Sequence, residues 1–129
     1  MARIILIDDD RTTLMAIRAL LEKLGHQVVV AEDGADGVEC FLEEEPDVVI
    51  TDIFMPRQDG LETLRRLRRL NPDVRVICMS AGPSRLDQSE EMRDTMLTFA
   101  EEFGALATLA KPVESEQLRA VLDRVLAAG

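Results

Sequence analysis

Short continuous runs of apolar residues restrict the fold of this chain more than any other feature of its sequence. Residues 3–7 read Arg-Ile-Ile-Leu-Ile, and further runs occupy residues 28–30, 48–50, 74–79 and 106–109. Each run has the length of a β-strand, and strands that are apolar on both faces are typical of a parallel sheet with helices on both sides. The sequence therefore predicts a buried parallel sheet.

The segments between these runs show the spacing of amphipathic helices. Apolar residues recur every three or four positions in residues 14–24 and 61–70, and Gly25 and Asn71-Pro72 end these two patterns. Three further helices are expected at residues 34–45, 92–103 and 115–127. Strand and helix alternate five times, and right-handed crossovers turn such a chain into an α/β fold, a doubly wound five-stranded parallel sheet.

Length and composition support one domain and exclude several classes of protein. The 129 residues suffice for a single core, and 47% hydrophobic with 31% charged residues favours a globular chain over a disordered one. No apolar stretch approaches the roughly 20 residues of a membrane helix, and the amino terminus lacks the pattern of a signal peptide, so we expect a cytoplasmic protein. A net charge of −10 argues against nucleic-acid binding, because it would repel a phosphate backbone.

The chain is expected to form one domain over residues 1–129, without an output domain, so that its output passes through a protein partner. Cys40 and Cys78 lack the close spacing of a zinc or redox motif and are expected to be buried thiols. The single histidine, His26, follows the helix-ending Gly25 and is expected at the surface.

Polar residues follow the predicted strands where the strands end. They are Asp8, Asp9 and Asp10 after the first strand, Asp52 after the third, Ser80 after the fourth and Lys111 after the fifth. Ligands of an open parallel sheet bind outside the carboxyl ends of its strands, at the point where the strand order reverses. If these four strands are neighbours, the side chains converge in one crevice.

The chemistry of such a crevice suits a phosphoryl group held beside a metal ion. Crowded carboxylates are ionised at neutral pH and repel one another, so a positive charge must lie among them. Mg²⁺ takes oxygen ligands and is commonly held by one or two carboxylates together with a phosphate. Lys111 can pair with a phosphoryl oxygen and Ser80 can donate to another. A carboxylate beside the metal can take a phosphoryl group from an activated donor.

Four motifs at the strand ends resemble those of the receiver domains of two-component response regulators, including the stand-alone chemotaxis type. They are Ile-Leu-Ile-Asp8-Asp9, then Asp52-Ile-Phe-Met-Pro-Arg-Gln-Asp-Gly60, then Met79-Ser80-Ala81, and finally Lys111-Pro112. The motifs occur in order, and the resemblance covers essentially the whole chain. It implies a flavodoxin-like (βα)5 sheet with strand order 2-1-3-4-5.

The resemblance also implies a role for each residue of the crevice. Asp52 would accept a phosphoryl group from a histidine kinase or a phosphotransfer protein. Lys111 would contact that group, and Ser80 would move toward it. Mg²⁺ would be bound by Asp8, Asp9, Asp52 and the backbone carbonyl of Phe54. Such a domain catalyses only its own phosphorylation and dephosphorylation, so we do not expect an enzyme, and its target would be a downstream protein.

Two features depart from the common receiver pattern. Receiver domains usually carry Tyr or Phe three residues before the lysine, where this chain has Thr108. The segment from Ser80 to Gly104 is longer than the usual crossover, which indicates an added loop and a lengthened fourth helix. The chain resembles stand-alone receivers of that variant. We expect its signal to leave through residues 81–100 instead of through an aromatic switch.

Two other functions stay open at the level of the sequence. Asp8-Asp9-Asp10-Arg11-Thr12 satisfies the D-x-D-x-T motif of haloacid-dehalogenase-like phosphatases, with Asp8 as nucleophile, but this interpretation leaves Asp52 unexplained. The other alternative is a degenerate receiver that never takes phosphate and acts only as an interaction module. The presence of the acidic pair with Asp52, Ser80 and Lys111 argues against degeneracy.

Overall fold

A five-stranded parallel sheet forms the centre of the fold. The computed structural model describes residues 1–53, 60–80, 98, 101, 102 and 104–127. Its strands are β1 (Arg3–Ile7), β2 (Gln27–Ala31), β3 (Val48–Asp52), β4 (Val76–Ser80) and β5 (Ala107–Ala110). They pair in parallel in the order β2-β1-β3-β4-β5. The predicted doubly wound sheet and its strand order are confirmed.

Helices cover both faces of this sheet. They are α1 (Arg11–Lys23), α2 (Gly34–Glu44), α3 (Gly60–Leu70) and a C-terminal helix (Ser115–Ala127). Residues 98, 101 and 102 are helical, as predicted, and the rest of the predicted helix at 92–103 lies outside the described residues. β4 and β5 each end one residue later than predicted, which places Ser80 inside β4.

Sequence signals set the limits of α1. Asp10 caps its first turn, because its carboxylate accepts hydrogen bonds from the backbone N–H groups of Thr12 and Thr13. Gly25, which follows the helix, has a φ of +96°, a conformation that a residue without a Cβ adopts without strain. The helix therefore begins immediately after the carboxyl end of β1, and Asp8 and Asp9 lie in the short connection between them.

The alternation of side chains along β1 divides the core into two layers. Ile4 and Leu6 pack with α1 and the C-terminal helix, whereas Ile5 and Ile7 pack with α2 and α3. All four of these side chains are 0% exposed. Each buried side chain of this size stabilises the fold by about 1.5 to 3 kcal/mol, so the central strands hold their carboxyl ends in fixed positions.

The two cysteines differ in their surroundings. Cys78 is fully buried in β4, as predicted, whereas Cys40 is only half-buried on α2, and both are free thiols. The prediction of a buried Cys40 was wrong because its side chain faces the edge of the sheet, where β2 has a neighbouring strand on one side only among the described residues. Within the described part of the chain, no helix combines the length and the hydropathy needed to cross a bilayer.

Candidate functional site

The candidate site lies at the carboxyl edge of four adjacent strands. Asp8 follows β1, Asp52 ends β3, Ser80 ends β4 and Lys111 follows β5. Because β1 pairs with β3, β3 with β4 and β4 with β5, these four positions form a continuous row along one edge of the sheet. The structure thus places together the strand-end residues that the sequence predicted.

Lys111 joins two buried carboxylates. Its Nζ donates to Oδ2 of Asp8 at 2.6 Å and to Oδ2 of Asp52 at 2.8 Å. The side chain of Lys111 is 14% exposed, and those of Asp8 and Asp52 are 0% and 4% exposed. Its backbone N–H donates to the carbonyl of Ser80 at 2.8 Å, which attaches the lysine to the end of β4. The ammonium group is therefore fixed between the two aspartates.

Burial and like charge make the ionised form of Asp8 unfavourable. Burial raises the pKa of its carboxyl group above the usual value, and the charge of Asp52 adds to this effect. Hydrogen bonds from Lys111 and from the backbone N–H of Asp10, at 2.9 Å, act in the opposite direction but do not cancel it. Burial would lower the pKa of Lys111, but the charges and hydrogen bonds of Asp52 and Asp8 together outweigh burial and raise it. The site holds more negative charge than its single lysine balances.

The donor set fits a small hard cation. One carboxylate oxygen from each of Asp8, Asp9 and Asp52 lies within 4.8 Å of the others. Asp8 and Asp52 are buried, whereas Asp9 is exposed and faces solvent. Mg²⁺ prefers oxygen ligands and usually keeps several waters, so an arrangement with one solvent-facing carboxylate suits it. The predicted fourth ligand, the carbonyl of Phe54, lies outside the described residues.

The hydroxyl of Ser80 is a buried polar group in an unusual state. Ser80 is 0% exposed, and its Oγ has no hydrogen-bond partner among the residues that the structure describes. A buried hydroxyl without a partner costs about 1 to 3 kcal/mol, and such groups often mark a functional requirement. At the end of β4, between the strands that carry Asp52 and Lys111, this hydroxyl is available to an incoming acceptor.

Two other residues and one segment that the sequence analysis named have different outcomes. Asp10 acts as the helix cap and also accepts a hydrogen bond from Oγ1 of Thr13 at 2.9 Å. This bond from the Thr13 side chain does most to lower the pKa of the Asp10 carboxyl group. Thr108 is half-buried in β5 and lies opposite Cys78 of β4. The expectation that the signal leaves through residues 81–100 falls on residues outside those described.

Gly60 is a site residue whose importance the sequence did not reveal. Its backbone N–H donates to the carbonyl of Ile53 at 2.7 Å. A Cβ at this position would lie 2.5 Å from Cα of Ile53 and still closer to the carbonyl oxygen of Asp52. The start of α3 can thus approach the end of β3 only because residue 60 has no side chain. The sequence analysis named Gly60 only as the end of a motif, and nothing in that motif indicated contact with the backbone of Asp52.

Cys78 lies directly behind the site without the properties of a nucleophile. Burial, with a further contribution from Asp52, raises the pKa of its thiol to about 12. Its side chain is 0% exposed, in the core layer that includes Ile5 and Ile7. The reactive groups of the site are therefore its oxygens and the amine of Lys111.

Comparison with known proteins identifies the family. The response regulator receiver domain family matches residues 4–123. Protein PilH of Pseudomonas aeruginosa is 39% identical over 127 residues, which cover 98% of this chain and 99% of PilH. The DNA-binding transcriptional regulator NtrC of Azospirillum brasilense is 32% identical, but its match, over 97% of this chain, spans only 24% of NtrC. This chain thus corresponds to nearly all of one relative and to about a quarter of the other.

A solved structure agrees with both the sequence matches and the fold. The response regulator receiver domain protein from Clostridium thermocellum has a TM-score of 0.82 and 31% identity, and the match covers 98% of this chain and 95% of that one. The family match favours the receiver interpretation over the phosphatase alternative, which assigned the nucleophile to Asp8. The chain belongs to the response regulator receiver domain family, the phosphoacceptor modules of two-component signal transduction.

Proposed function

We propose that Asp52 accepts the phosphoryl group and that Lys111 and Ser80 bind that group once it arrives. The observation that carries this assignment is the position of Asp52 in the row of strand ends. On one side lies Asp8, and on the other lies the hydroxyl of Ser80, which has no hydrogen-bond partner within the described part of the chain. Lys111 Nζ is 2.8 Å from Asp52 Oδ2, so it is close enough to bind a phosphoryl oxygen once Asp52 carries the phosphoryl group.

The geometry favours Asp52 over its acidic neighbours as the nucleophile. Asp8 accepts from the N–H of Asp10 through Oδ1 and from Lys111 through Oδ2, and these hydrogen bonds hold it beside Asp52. Asp9 is exposed, and a nucleophile in contact with water is harder to desolvate and to align. Asp52 is buried, and its backbone is fixed by β3 and by Gly60. These contacts support a carboxylate that is held in one orientation for in-line attack.

In the proposed reaction, an oxygen of Asp52 attacks the phosphorus of a phosphohistidine on a histidine kinase or a phosphotransfer protein. The bond from phosphorus to the histidine nitrogen breaks, and the histidine keeps the electron pair and a proton. Asp8, Asp9 and Asp52 would hold Mg²⁺, which neutralises phosphoryl charge when bound. Lys111 then exchanges one carboxylate partner for a phosphoryl oxygen, and Ser80 donates to another, which gives its hydroxyl the acceptor that it lacks.

Output would pass through contacts with a downstream protein, in the cytoplasm, where such regulators usually work. The match to PilH over nearly the full length of both chains supports a role of this kind. The net charge of −10 favours a protein target over a nucleic acid. This part of the proposal concerns signalling and not turnover of a substrate.

The test is the intact mass of the protein after incubation with acetyl phosphate and Mg²⁺. We expect one added phosphoryl group on the wild type and none on Asp52→Asn. Asp73→Asn is the matched control, because Asp73 is an exposed aspartate before β4, at the opposite end of the sheet. It should be labelled like the wild type.

Two results would contradict the assignment. Labelling that survives in Asp52→Asn but disappears in Asp8→Asn or Asp9→Asn would move the phosphoacceptor to another carboxylate. Absence of labelling in the wild type, with both acetyl phosphate and a phosphorylated histidine kinase as donors, would favour the interaction module that never takes phosphate. Asp8→Asn alone is expected to slow labelling without changing the modified residue.

A further inference from the structure

A groove of about 510 Å³ lies at the β2 edge of the sheet, between α1 and α2. Its floor is apolar and is formed by Leu14, Met15, Val30, Ala31 and Cys40. The described residues that line it include none of the site aspartates, Ser80 or Lys111, so it is a separate surface.

The floor leaves apolar surface uncovered. Met15 is 50% exposed on α1, and Val30 is half-buried although it lies in a strand. The same incomplete burial holds for Val28 and Val29, whereas the facing residues of β1 are fully buried. β2 has only β1 as a neighbouring strand in the described sheet. An apolar strand at a sheet edge is a surface that proteins usually cover or use for binding.

One wall of the groove carries negative charge that no described residue neutralises through an ion pair. Asp36, Glu39 and Glu43 recur at helical spacing along α2 and line the groove. All three are exposed, and the structure shows no ion pair for them among the residues that it describes. The sequence of α2, Gly34–Glu44, contains no lysine or arginine.

The opposite wall does not supply the missing cations. Arg11 on α1 pairs with Glu32 at 3.6 Å, and Arg18 pairs with Glu22 of its own helix at 3.3 Å. The acidic wall also acts on the floor of the groove. Burial raises the pKa of the Cys40 thiol, and the nearby carboxylates of Glu43 and Asp36 raise it further. The groove thus combines an apolar floor with an acidic wall.

We infer that this groove is a docking surface for a basic segment of a protein partner. The aliphatic stems of its lysine or arginine side chains would lie on Met15 and Val30, and their charged ends would meet Asp36, Glu39 and Glu43. A second copy of this chain is disfavoured, because each copy carries a net charge of −10 and would bring further acid to an acidic wall.

The position of the groove allows docking without obstruction of the phosphorylation site. Ala31, in the floor, accepts a hydrogen bond through its carbonyl from the backbone N–H of Asp8 at 3.1 Å. The groove therefore lies one strand away from the site, and a partner bound there would leave Asp52 accessible to a phosphodonor. This inference does not depend on phosphorylation, so its failure and that of the proposed function are distinguishable.

The test measures binding of an amphipathic peptide of lysine, leucine and alanine to the full chain by calorimetry at low ionic strength. The double variant Glu39→Gln/Glu43→Gln should weaken binding about five-fold, the effect of two exposed charge pairs. Met15→Ser should weaken it by a similar factor, since it removes apolar surface without changing the charge. The matched controls are Glu101→Gln/Glu102→Gln and Leu106→Ser, all exposed positions before or at the start of β5, the opposite edge strand.

Alkylation of Cys40 by iodoacetamide gives a second measurement that locates the peptide. Binding in the groove should protect Cys40, and Cys78, which is 0% exposed, should stay unmodified throughout as an internal control of folding. Equal losses in groove and control variants would show general attraction to an acidic protein and overturn the inference. Unprotected Cys40 would also overturn it, as would sedimentation showing that a second copy of the chain occupies the groove.

Discussion

The two ends of the sheet use polar side chains in opposite ways. At the amino end, the backbone N–H of Ala2 donates to Nδ1 of His26 at 3.0 Å, and that of Arg3 donates to Oδ2 of Asp47 at 2.8 Å. At the carboxyl end, Asp8 and Asp52 share one lysine. Polar side chains at the first end satisfy the backbone, whereas those at the second end are kept close together despite their repulsion.

This difference distinguishes polar residues that stabilise the fold from polar residues that serve its function. Side chains such as those of His26 and Asp47, which accept from backbone N–H groups, contribute about 0.5 to 1.5 kcal/mol each and leave no charge buried. Like-charged carboxylates lower stability, and so does a buried hydroxyl without a partner among the described residues. Proteins retain such groups where a bound ligand supplies the balancing charge or the missing hydrogen bond. Substitutions at the carboxyl end should therefore change phosphorylation, and those at the amino end should change stability alone.

The largest effect is expected for Gly60→Ala. Alanine usually stabilises a helix by about 1 kcal/mol relative to glycine, but here the new Cβ would meet backbone atoms that cannot rotate away. We expect a loss of about 3 kcal/mol in the free energy of unfolding, the upper range for overpacking, together with slower labelling by acetyl phosphate. Urea unfolding and intact mass measure the two effects.

Gly25→Ala is the matched control at the amino end. Gly25 has a φ of +96°, and a Cβ there would contact nothing within 4 Å. We expect a loss of about 1 kcal/mol from backbone strain alone, with labelling unchanged. Equal effects of the two substitutions on labelling would remove the distinction between the two ends.

Mg²⁺ should stabilise the wild type by binding only at the carboxyl end of the sheet. A ligand that binds the folded state at a hundredfold excess over its Kd raises the free energy of unfolding by about 2.7 kcal/mol. Asp8→Asn should abolish most of this increase, and Asp47→Asn, at the amino end, should keep it. Thermal unfolding with and without Mg²⁺ would measure the increase, and an equal gain in Asp8→Asn would show that the ion binds elsewhere.

Without Mg²⁺, Asp8→Asn should make the protein more stable near neutral pH. The pKa of Asp8 is raised in the folded state, mainly by burial, so its ionisation costs more in the folded chain than in the unfolded one. This cost begins as the pH rises through the unfolded value near 3.8 and is complete above the folded value. We expect a gain of about 1 kcal/mol, because removal of the buried charge and of its repulsion with Asp52 outweighs the lost hydrogen bond to Lys111. The gain should vanish near pH 3, and a loss of stability at pH 7 would contradict it.

The smallest effect is expected for His26→Ala. Burial, then the charge of the amino terminus, lowers the pKa of His26, and Asp123 opposes this shift. Its neutral ring accepts from Ala2, so this stability is present above pH 6.5 and is lost as the pH falls through the folded value. We expect a loss of about 0.5 kcal/mol at pH 8 and a smaller loss at pH 5, because water replaces part of a bond to a half-exposed group. Denaturant unfolding at both values measures the difference, and a change in acetyl phosphate labelling would be unexpected.

The sequence predicted which strand ends meet at the site, and the reason is simple. Apolar runs report burial on both faces, and in a parallel sheet all carboxyl ends share one edge. Residues as distant as Asp8 and Lys111 could therefore be assigned to one crevice before any distance was known. The cap that Asp10 forms on α1 is also a local feature, since capping depends on neighbours within one turn.

The sequence failed where a contact depends on distant backbone. His26 was expected at the surface, but it is half-buried and accepts from Ala2, which is 24 positions away. Cys40 was expected to be buried, and the edge of the sheet leaves it half-exposed. Gly60 was named only as the last residue of a motif, because its contact with Asp52 depends on how closely the start of α3 approaches the end of β3.

The sequence by itself determined the parallel sheet, its helices and the polar residues at the strand ends, because these follow from local hydrophobic periodicity. Only the tertiary structure decided that Lys111 bridges Asp8 and Asp52 at 2.6 and 2.8 Å and that the hydroxyl of Ser80 is left without a partner among the described residues. It alone placed an acidic helix beside an apolar strand edge to form a groove. These features depend on distances between segments far apart in the chain, and packing of the whole fold sets those distances.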